Sequence, residues 1–561
     1  MMRMNFTSIL SKHKRIIACS GKKLTSVAKP SFALHDSRCG ARLYHTYPDP
    51  SDKGSITTAL ASKSNIEKQI LDKSGDAFTL DSKFKLEEMF PGVPSGKKVE
   101  DSGNAPPTLN TKLDSGLTVV TQDMPGLMTS FAIMVGTGSS YEIQQGEDRK
   151  HNTGVTQMLE LTAFKNTRTR EHHDILTEIE KLGGMIQCIA GRENILYCVD
   201  VLRENVEPAL DILADTILNP KFTQDEIEES KMVARMLIDE MPSDMLSRDA
   251  AQMAGYGSTP LGNAHFCPDE DIDNITAESV RSFHQEFFVG SNCYVAAAGV
   301  DNHDAFVALV EKKFKNIKNT SDSRNEIKLR REHSKYTGGM VKNERNLKEP
   351  FVKIAVGFEV GGWNDEHIIA TCVLNQLLGG GSSFSAGGPG KGMYTRLYRE
   401  ILNQYHWAES AEAFVLLHDE LGMLGIDGSC PPEYVPHLLK VILDQLVKLA
   451  IQPIGEEELN RAKNMCKSMM LMQLESRIVL CEDLARQFVT YEERKLPDDI
   501  CKQIDDVTAQ DLMDVADRMI SYPPSIGCVG DDLSKVPNYE DIKSFTSNFV
   551  EEVRKIKSKS A

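Results

Sequence analysis

The sequence predicts an α+β protein made of two homologous α/β domains, each a mixed or antiparallel sheet packed with helices. Three observations carry this reading. In each half, short apolar strands closed by glycines are followed by amphipathic helices. The segment LDILADTILNPKFTQDEIEESKM has a counterpart in LDQLVKLAIQPIGEEELNRAKNM. Both run Leu-Asp-x-Leu, then a proline (Pro220, Pro453), then an acidic helix start with an apolar residue four positions before a lysine (Ile227–Lys231, Leu459–Lys463). Between the halves, KNIKNTSDSRNEIKLRREHSKYTGG is polar and charged, as expected of a connection. One duplicated domain accounts for all three.

Along the chain, LNTKLDSGLTVVTQDMPG reads as strand, turn at Asp114–Gly116, strand. SFAIMVGTGSSYE is a third strand, and a helix begins near Thr153. EHHDILTEIEKLGG is a helix closed by Gly183–Gly184, and MIQCIAGRENILYCVDVL supplies two more strands. NVEPALDILADTILNP and TQDEIEESKMVARMLIDEM are helices, the second with Thr223 as cap and Glu226 completing a capping box. NCYVAAAGV is a late strand, and PFVKIAVGFEVGGWNDEH opens the second half in the manner of SFAIMVGTGSSYE. The expected boundaries are a leader over 1–44, a loosely attached arm over 45–106, a first domain over 107–325, a linker over 326–348 and a second domain over 349–555.

The chain has 561 residues, 40% hydrophobic and 26% charged, enough for large cores. The most apolar stretch, Leu438–Ile454, is broken by Lys440, Asp444 and Lys448 and reads as an amphipathic helix, not a membrane span. Twelve cysteines are scattered without a C-x-x-C pair, which argues against a disulfide scaffold or a structural zinc ribbon and fits a reducing compartment. Met1–Tyr44 carries nine Lys and Arg against one acid, Asp36, with Ser and Thr between them. That composition is expected of a mitochondrial transit peptide, and Arg42 two residues before Tyr44 places the expected cleavage after Tyr44. The full chain is formally −17, and losing that leader makes the remainder more acidic still. Such a field repels nucleic acid and attracts cationic partners.

Two stretches bear on chemistry. TGVTQMLELTAFKNTRTR is built like a metal-binding helix without its ligands. In a His-x-x-Glu-His helix, residues four apart share one face, so two imidazoles can hold one zinc while the Glu reaches the bound water. Here the register is Gln157-Met158-Leu159-Glu160-Leu161: Glu160 stands, but Gln157 and Leu161 occupy the imidazole positions. His172 and His173 are adjacent and face apart, and Glu366-His367 lacks an upstream histidine. The second stretch, LLGGGSSFSAGGPGKGMYTRLYREILN, packs seven glycines into fourteen residues, Gly379 to Gly392. So many glycines cost conformational entropy on ordering, so an adaptable loop is a better account than a rigid one. A phosphate loop fails, because Lys391 is followed by Gly392 and not by Ser or Thr.

With these motifs the chain resembles the pitrilysin-type metalloproteases from about Pro107 to Val550, and within them the alpha-type subunits that lack a working metal site. The family's active helix has the form G-x-x-H-F-L-E-H-x-A-F; Gly154, Leu159, Glu160, Ala163 and Phe164 match it. The resemblance puts the third metal ligand at Leu237, near Asp239 and Glu240, so all three ligand positions depart from the family pattern. It implies no catalytic residues and no metal or other cofactor in this chain, with zinc in a catalytic beta-type partner and no peptidase activity in this chain alone. It also implies that Gly379, Gly380, Gly381, Ser382, Ser383, Phe384, Ser385, Gly387, Gly388, Pro389, Gly390, Lys391 and Gly392 form a glycine-rich loop that captures basic presequence peptides. The implied location is the mitochondrial matrix. A competing expectation from the same resemblance is a structural core protein of the respiratory cytochrome bc1 complex, on the matrix side of the inner membrane. Gln157, Leu161 and Leu237 argue strongly against a third expectation, an independent zinc protease.

Overall fold

The computed structural model describes residues 106–142, 153–320, 322–345, 350–383 and 392–560. The expected leader and all but the last residue of the arm lie outside the described residues.

The first sheet holds β1 (Thr108–Lys112), β2 (Thr118–Gln122), β3 (Met128–Val135), β4 (Met185–Ala190), β5 (Ile195–Leu202) and β6 (Cys293–Ala298), in the order β1-β2-β6-β3-β5-β4. All neighbours are antiparallel except β2 and β6, which run parallel. β3 and β6 are apolar runs without alternation, because both faces of the sheet are covered. Around it lie α1 (Val155–Leu161), α2 (His172–Lys181), α3 (Val206–Leu218), α4 (Gln224–Glu240), α5 (Ser243–Tyr256), α6 (Asp269–Ile272), α7 (Ala277–Phe287), α8 (His303–Lys313) and α9 (Arg324–Leu329). The capping box of α4 is present: the Glu226 N–H donates to Thr223 Oγ1 at 3.2 Å, and the Thr223 N–H donates to Glu226 Oε2 at 2.7 Å.

The second sheet holds β7 (Gly339–Glu344), β8 (Val352–Gly361), β9 (Gly380–Ser382), β10 (Ser410–Leu417), β11 (Leu421–Cys430) and β12 (Ser525–Gly530), in the order β7-β12-β8-β11-β10-β9. Its helices are α10 (Ile368–Leu378), α11 (Val435–Lys448), α12 (Glu456–Leu474), α13 (Arg477–Tyr491), α14 (Pro497–Asp506), α15 (Ala509–Met519) and α16 (Tyr539–Ser560). The duplication is visible in the pairing. The run β2-β6-β3-β5-β4 matches β7-β12-β8-β11-β10 strand for strand, with a parallel pair at the same place in each. The α3–α4 pair matches α11–α12. Two α+β units built on mixed sheets are therefore present, as the sequence leads one to expect.

The stretch 326–348 is not all connection. Gly339–Glu344 is β7, paired in parallel with β12. An edge strand tolerates Lys342, Asn343 and Glu344, so its composition imitates a linker.

Nothing in the sequence pattern foretells how the halves hold together: each lends a helix to the other. α13, from the second half, lays Leu480, Cys481, Leu484, Ala485 and Phe488 on the outer face of the first sheet, against Val120, Ala132, Met134, Leu196 and Tyr294. α5, from the first half, covers the second sheet, where Ala251 and Tyr256 pack with Ala355, Phe414 and Met423. The Tyr256 hydroxyl donates to the Gly422 carbonyl at 2.9 Å. Buried Arg248 of α5 pairs with Asp427 of β11, and its Nη2 lies 2.9 Å from Glu412 Oε2 on β10. Burying a guanidinium demands such partners, so this pairing fixes the register of α5 on the foreign sheet.

Candidate functional site

The degenerate helix is α1. Gly154 caps it with φ 84°, in the left-handed region, and a Cβ there would sit 2.4 Å from the Cys267 Sγ. Only glycine satisfies both demands. The free N–H groups at the start of α1 are met by Glu142. Its carboxylate accepts from the Gly154 N–H at 2.8 Å, the Thr156 N–H at 2.9 Å and the Thr156 hydroxyl at 2.6 Å. Burial pushes Glu142 up to about 7, against these hydrogen bonds. Glu142 could not be singled out from the sequence. An acid some twelve residues ahead of a helix start is not a local capping signal, and only the fold brings it there.

Gln157 does not face an open site. Its Oε1 accepts from the Cys267 N–H at 2.8 Å, and both residues are buried. Glu160 is half-buried and meets the backbone N–H of Ala190, at the end of edge strand β4; burial pushes its carboxyl up to about 7. Leu161 packs on the core of the first half, with Met158 and Leu159 fully buried beside it. Leu237, on α4, is half-buried and apolar. An amide already committed to a backbone donor and two leucines do not make a zinc site, whose ligands are imidazole, thiolate or carboxylate. Among the described residues no group of three His, Cys, Asp or Glu is placed to hold a metal ion. His172 opens α2, with its ring Nδ1 2.9 Å from the Phe164 carbonyl oxygen, and His367 sits at the start of α10.

The glycine-rich stretch divides in two. Phe384, Ser385, Gly387, Gly388, Pro389, Gly390 and Lys391 lie outside the described residues. The two ends are described and are built into the second sheet. Gly380–Ser382 is β9, the edge strand beyond β10, with Gly380 opposite Glu412 and Ser382 opposite Ser410. The Ser383 N–H donates to the Glu409 carbonyl at 2.8 Å, and the Ala413 N–H to the Gly379 carbonyl at 2.8 Å. Thr395 ties the ends together: its Oγ1 accepts from the Gly380 N–H at 3.1 Å and donates to the Gly392 carbonyl at 2.7 Å. Gly379 has φ 56° and Gly380 φ 97°, and a Cβ on Gly380 would lie 2.0 Å from the Ala411 carbonyl oxygen. These glycines are there because the backbone needs them, which an entropy argument over the whole stretch does not separate from adaptability. In the first sheet the equivalent of β10 is β4, which is itself the edge, so among the described residues β9 occupies a place that has no counterpart in the first half.

The family model described as Insulinase (Peptidase family M16) matches residues 118–269, and that described as Peptidase M16 inactive domain matches residues 274–466. The chain is 34% identical to the probable mitochondrial-processing peptidase subunit alpha-1 of Arabidopsis thaliana, over 77% of this chain and 84% of the relative. It is 32% identical to the mitochondrial-processing peptidase subunit alpha of Pongo abelii, over 82% of this chain and 89% of the relative. The human subunit alpha is 31% identical over the same shares. With two matching domain models, a duplicated sheet order and relatives that cover most of its length, the chain belongs to the M16 peptidase family, in the branch of the mitochondrial-processing peptidase alpha subunits.

Proposed function

We propose that this chain is the non-catalytic subunit of a heterodimeric mitochondrial presequence peptidase: it recognises basic presequences, and a zinc-bearing beta subunit cuts them. The observation that carries the reading is the contrast between two sites. The metal-ligand positions of α1 and α4 are given over to packing, as the Gln157–Cys267 hydrogen bond records. The glycine-rich loop is kept and is held at both ends by Thr395 and the edge of β10.

The physics of capture follows from the chain's charge and the loop's composition. A chain of formal charge −17 raises the local concentration of basic peptides before any close contact forms. Glycines between fixed ends, with one aromatic side chain among them, present backbone donors and acceptors that adapt to peptides of many sequences. Hydrolysis then belongs to the partner. Relatives named as subunits of the same peptidase support both the heterodimer and the mitochondrial location.

The test replaces Ser383–Lys391 by a short Gly-Ser linker in the reconstituted heterodimer and measures presequence affinity by fluorescence anisotropy. Recognition by the loop predicts weaker binding by at least tenfold with the heterodimer intact, a loss of about 1.4 kcal/mol or more. Unchanged affinity contradicts it.

A further inference from the structure

The carboxylate of Glu458 meets the guanidinium of Arg396 in a two-pronged pair: Arg396 Nε donates to Oε1 and Nη2 to Oε2, each at 3.0 Å. Arg396 is 8% exposed, and the side chain of Glu458 17%. Glu458 stands one residue before Leu459 in the first turn of α12, as Glu226 stands one residue before Ile227 in α4. The two halves use this duplicated carboxylate differently. Glu226 closes the capping box with Thr223, and its Oε1 accepts from the Asn166 N–H at 3.0 Å and from Asn166 Nδ2 at 2.8 Å. Gly455 takes the place of Thr223 and brings no side chain, so α12 starts without a side-chain cap and Glu458 turns to Arg396. Arg396 lies within a short strap, Gly392–Tyr398, that holds both ends of the glycine-rich stretch. Its neighbour Thr395 ties Gly380 to Gly392 through Oγ1. Tyr398 donates its hydroxyl to the Ser382 carbonyl at 3.4 Å and opens a widened turn, in which the Asn403 N–H donates to the Tyr398 carbonyl at 2.9 Å. The fit is close: a Cβ on Gly379 would lie 2.4 Å from Thr395 Cγ2, and one on Gly381 2.6 Å from the Tyr398 hydroxyl.

We infer that the buried Arg396–Glu458 pair positions the glycine-rich loop for presequence binding: the pair fixes the strap, and the strap fixes both ends of the loop. The inference rests on the function proposed above and adds the buried residues that set the loop's placement. Arg396 and Glu458 are spent on each other and turned away from solvent, so they are positioning residues that act through Thr395 and Tyr398. A planar fork held at two points fixes the direction of the arginine side chain, which the single ammonium of a lysine does not. Ends that are fixed before binding lower the ordering cost that the bound peptide must otherwise offset. Presequence affinity therefore depends on a pair that the peptide never touches, whereas hydrolysis in the partner subunit does not.

The experiment uses the heterodimer with its zinc partner and a fluorescein-labelled basic presequence peptide. Affinity is read by anisotropy under chelation, and kcat at saturating peptide with zinc restored. Two variants are compared with wild type. R396K keeps the charge and loses the fork; R396Q/E458Q removes both charges, so neither is left buried and unpaired. Each is also made with Ser383–Lys391 replaced by the Gly-Ser linker. Positioning predicts about fivefold weaker binding for both variants in the intact chain, with kcat unchanged. In the linker background neither variant is expected to weaken binding further, because the loop through which the pair acts is gone. Unchanged affinity in the intact chain overturns the inference, whatever happens to the melting temperature. An equal loss in both backgrounds also overturns it, since the pair then acts elsewhere than through the loop. So does failure of both variants to assemble with the partner on size exclusion, because the pair then holds the domain and not the loop. If the linker alone leaves wild-type affinity unchanged, the proposed recognition role falls, and the inference falls with it.

Discussion

The side-chain oxygen of Gln157 accepts a hydrogen bond from the backbone N–H of Cys267 at 2.8 Å, and both residues are buried. The residue at the first imidazole position of the His-x-x-Glu-His pattern read from the sequence thus brackets the segment before α6 onto α1. Replacing Gln157 by Ala leaves that N–H without a partner in a dry environment, and a stability loss of about 1–3 kcal/mol is expected. Urea unfolding of the wild type and Q157A measures it. The double variant Q157H/L161H restores two imidazoles but not a third ligand, since Leu237 remains. It is expected to retain no stoichiometric zinc after dialysis against a chelator, by elemental analysis.

Glu160 gives a prediction with a definite pH dependence. Burial raises its pKa from 4.5 to about 7 in the folded protein. The fold therefore holds a proton that the unfolded chain releases between those values, so this group's contribution is fully present below 4.5 and is lost as pH rises through 7. E160Q removes the penalty. It is expected to leave stability nearly unchanged at pH 4.5 and to raise it at pH 8 by about 1–3 kcal/mol, read from melting temperatures across the range.

Gly380 and Gly183 separate two costs of adding a methyl group. Both have positive φ, 97° and 66°, but a Cβ meets the Ala411 carbonyl oxygen at 2.0 Å in the first case and nothing within 4 Å in the second. G183A is expected to cost about 1–2 kcal/mol, the strain of the left-handed backbone alone. G380A must also displace β9 from β10, so a larger loss of stability and of presequence affinity is expected, by thermal unfolding and anisotropy.

The exchanged helices make the halves interdependent. Residues 106–345 expressed alone lack α13, and the face of the first sheet that holds Val120, Met134, Leu196 and Tyr294 is left uncovered. Aggregation is expected, with recovery of soluble, co-purifying protein when residues 350–560 are co-expressed. In the full chain, L484A empties a site of 0% exposure and is expected to cost about 2–5 kcal/mol.

Most of the element order was legible because periodicity reports which side of a helix or strand is buried. β3, β5 and β6 stand out as apolar runs, α4 announces its start at Thr223 and Glu226, and the α3–α4 and α11–α12 pairs reveal the duplication. What covers a buried face is not written locally. The stripe on α13 predicts an amphipathic helix equally well on either sheet, so the exchange with α5 could not be read. β7 was hidden by the charges an edge strand accepts. At the candidate site the missing ligands were plain, since the side-chain chemistry of Gln157 and Leu161 decides them. The part Gly379–Gly381 plays in β9 was not, because positive φ and close approach are properties of the folded backbone.

The most direct test of the central claim is turnover of a presequence peptide by three preparations: this chain alone, a zinc-bearing beta subunit alone, and the two mixed. The expected result is no cleavage by this chain, little by the partner, and efficient cleavage by the mixture, lost when Ser383–Lys391 is replaced. Hydrolysis by this chain unaided would contradict it.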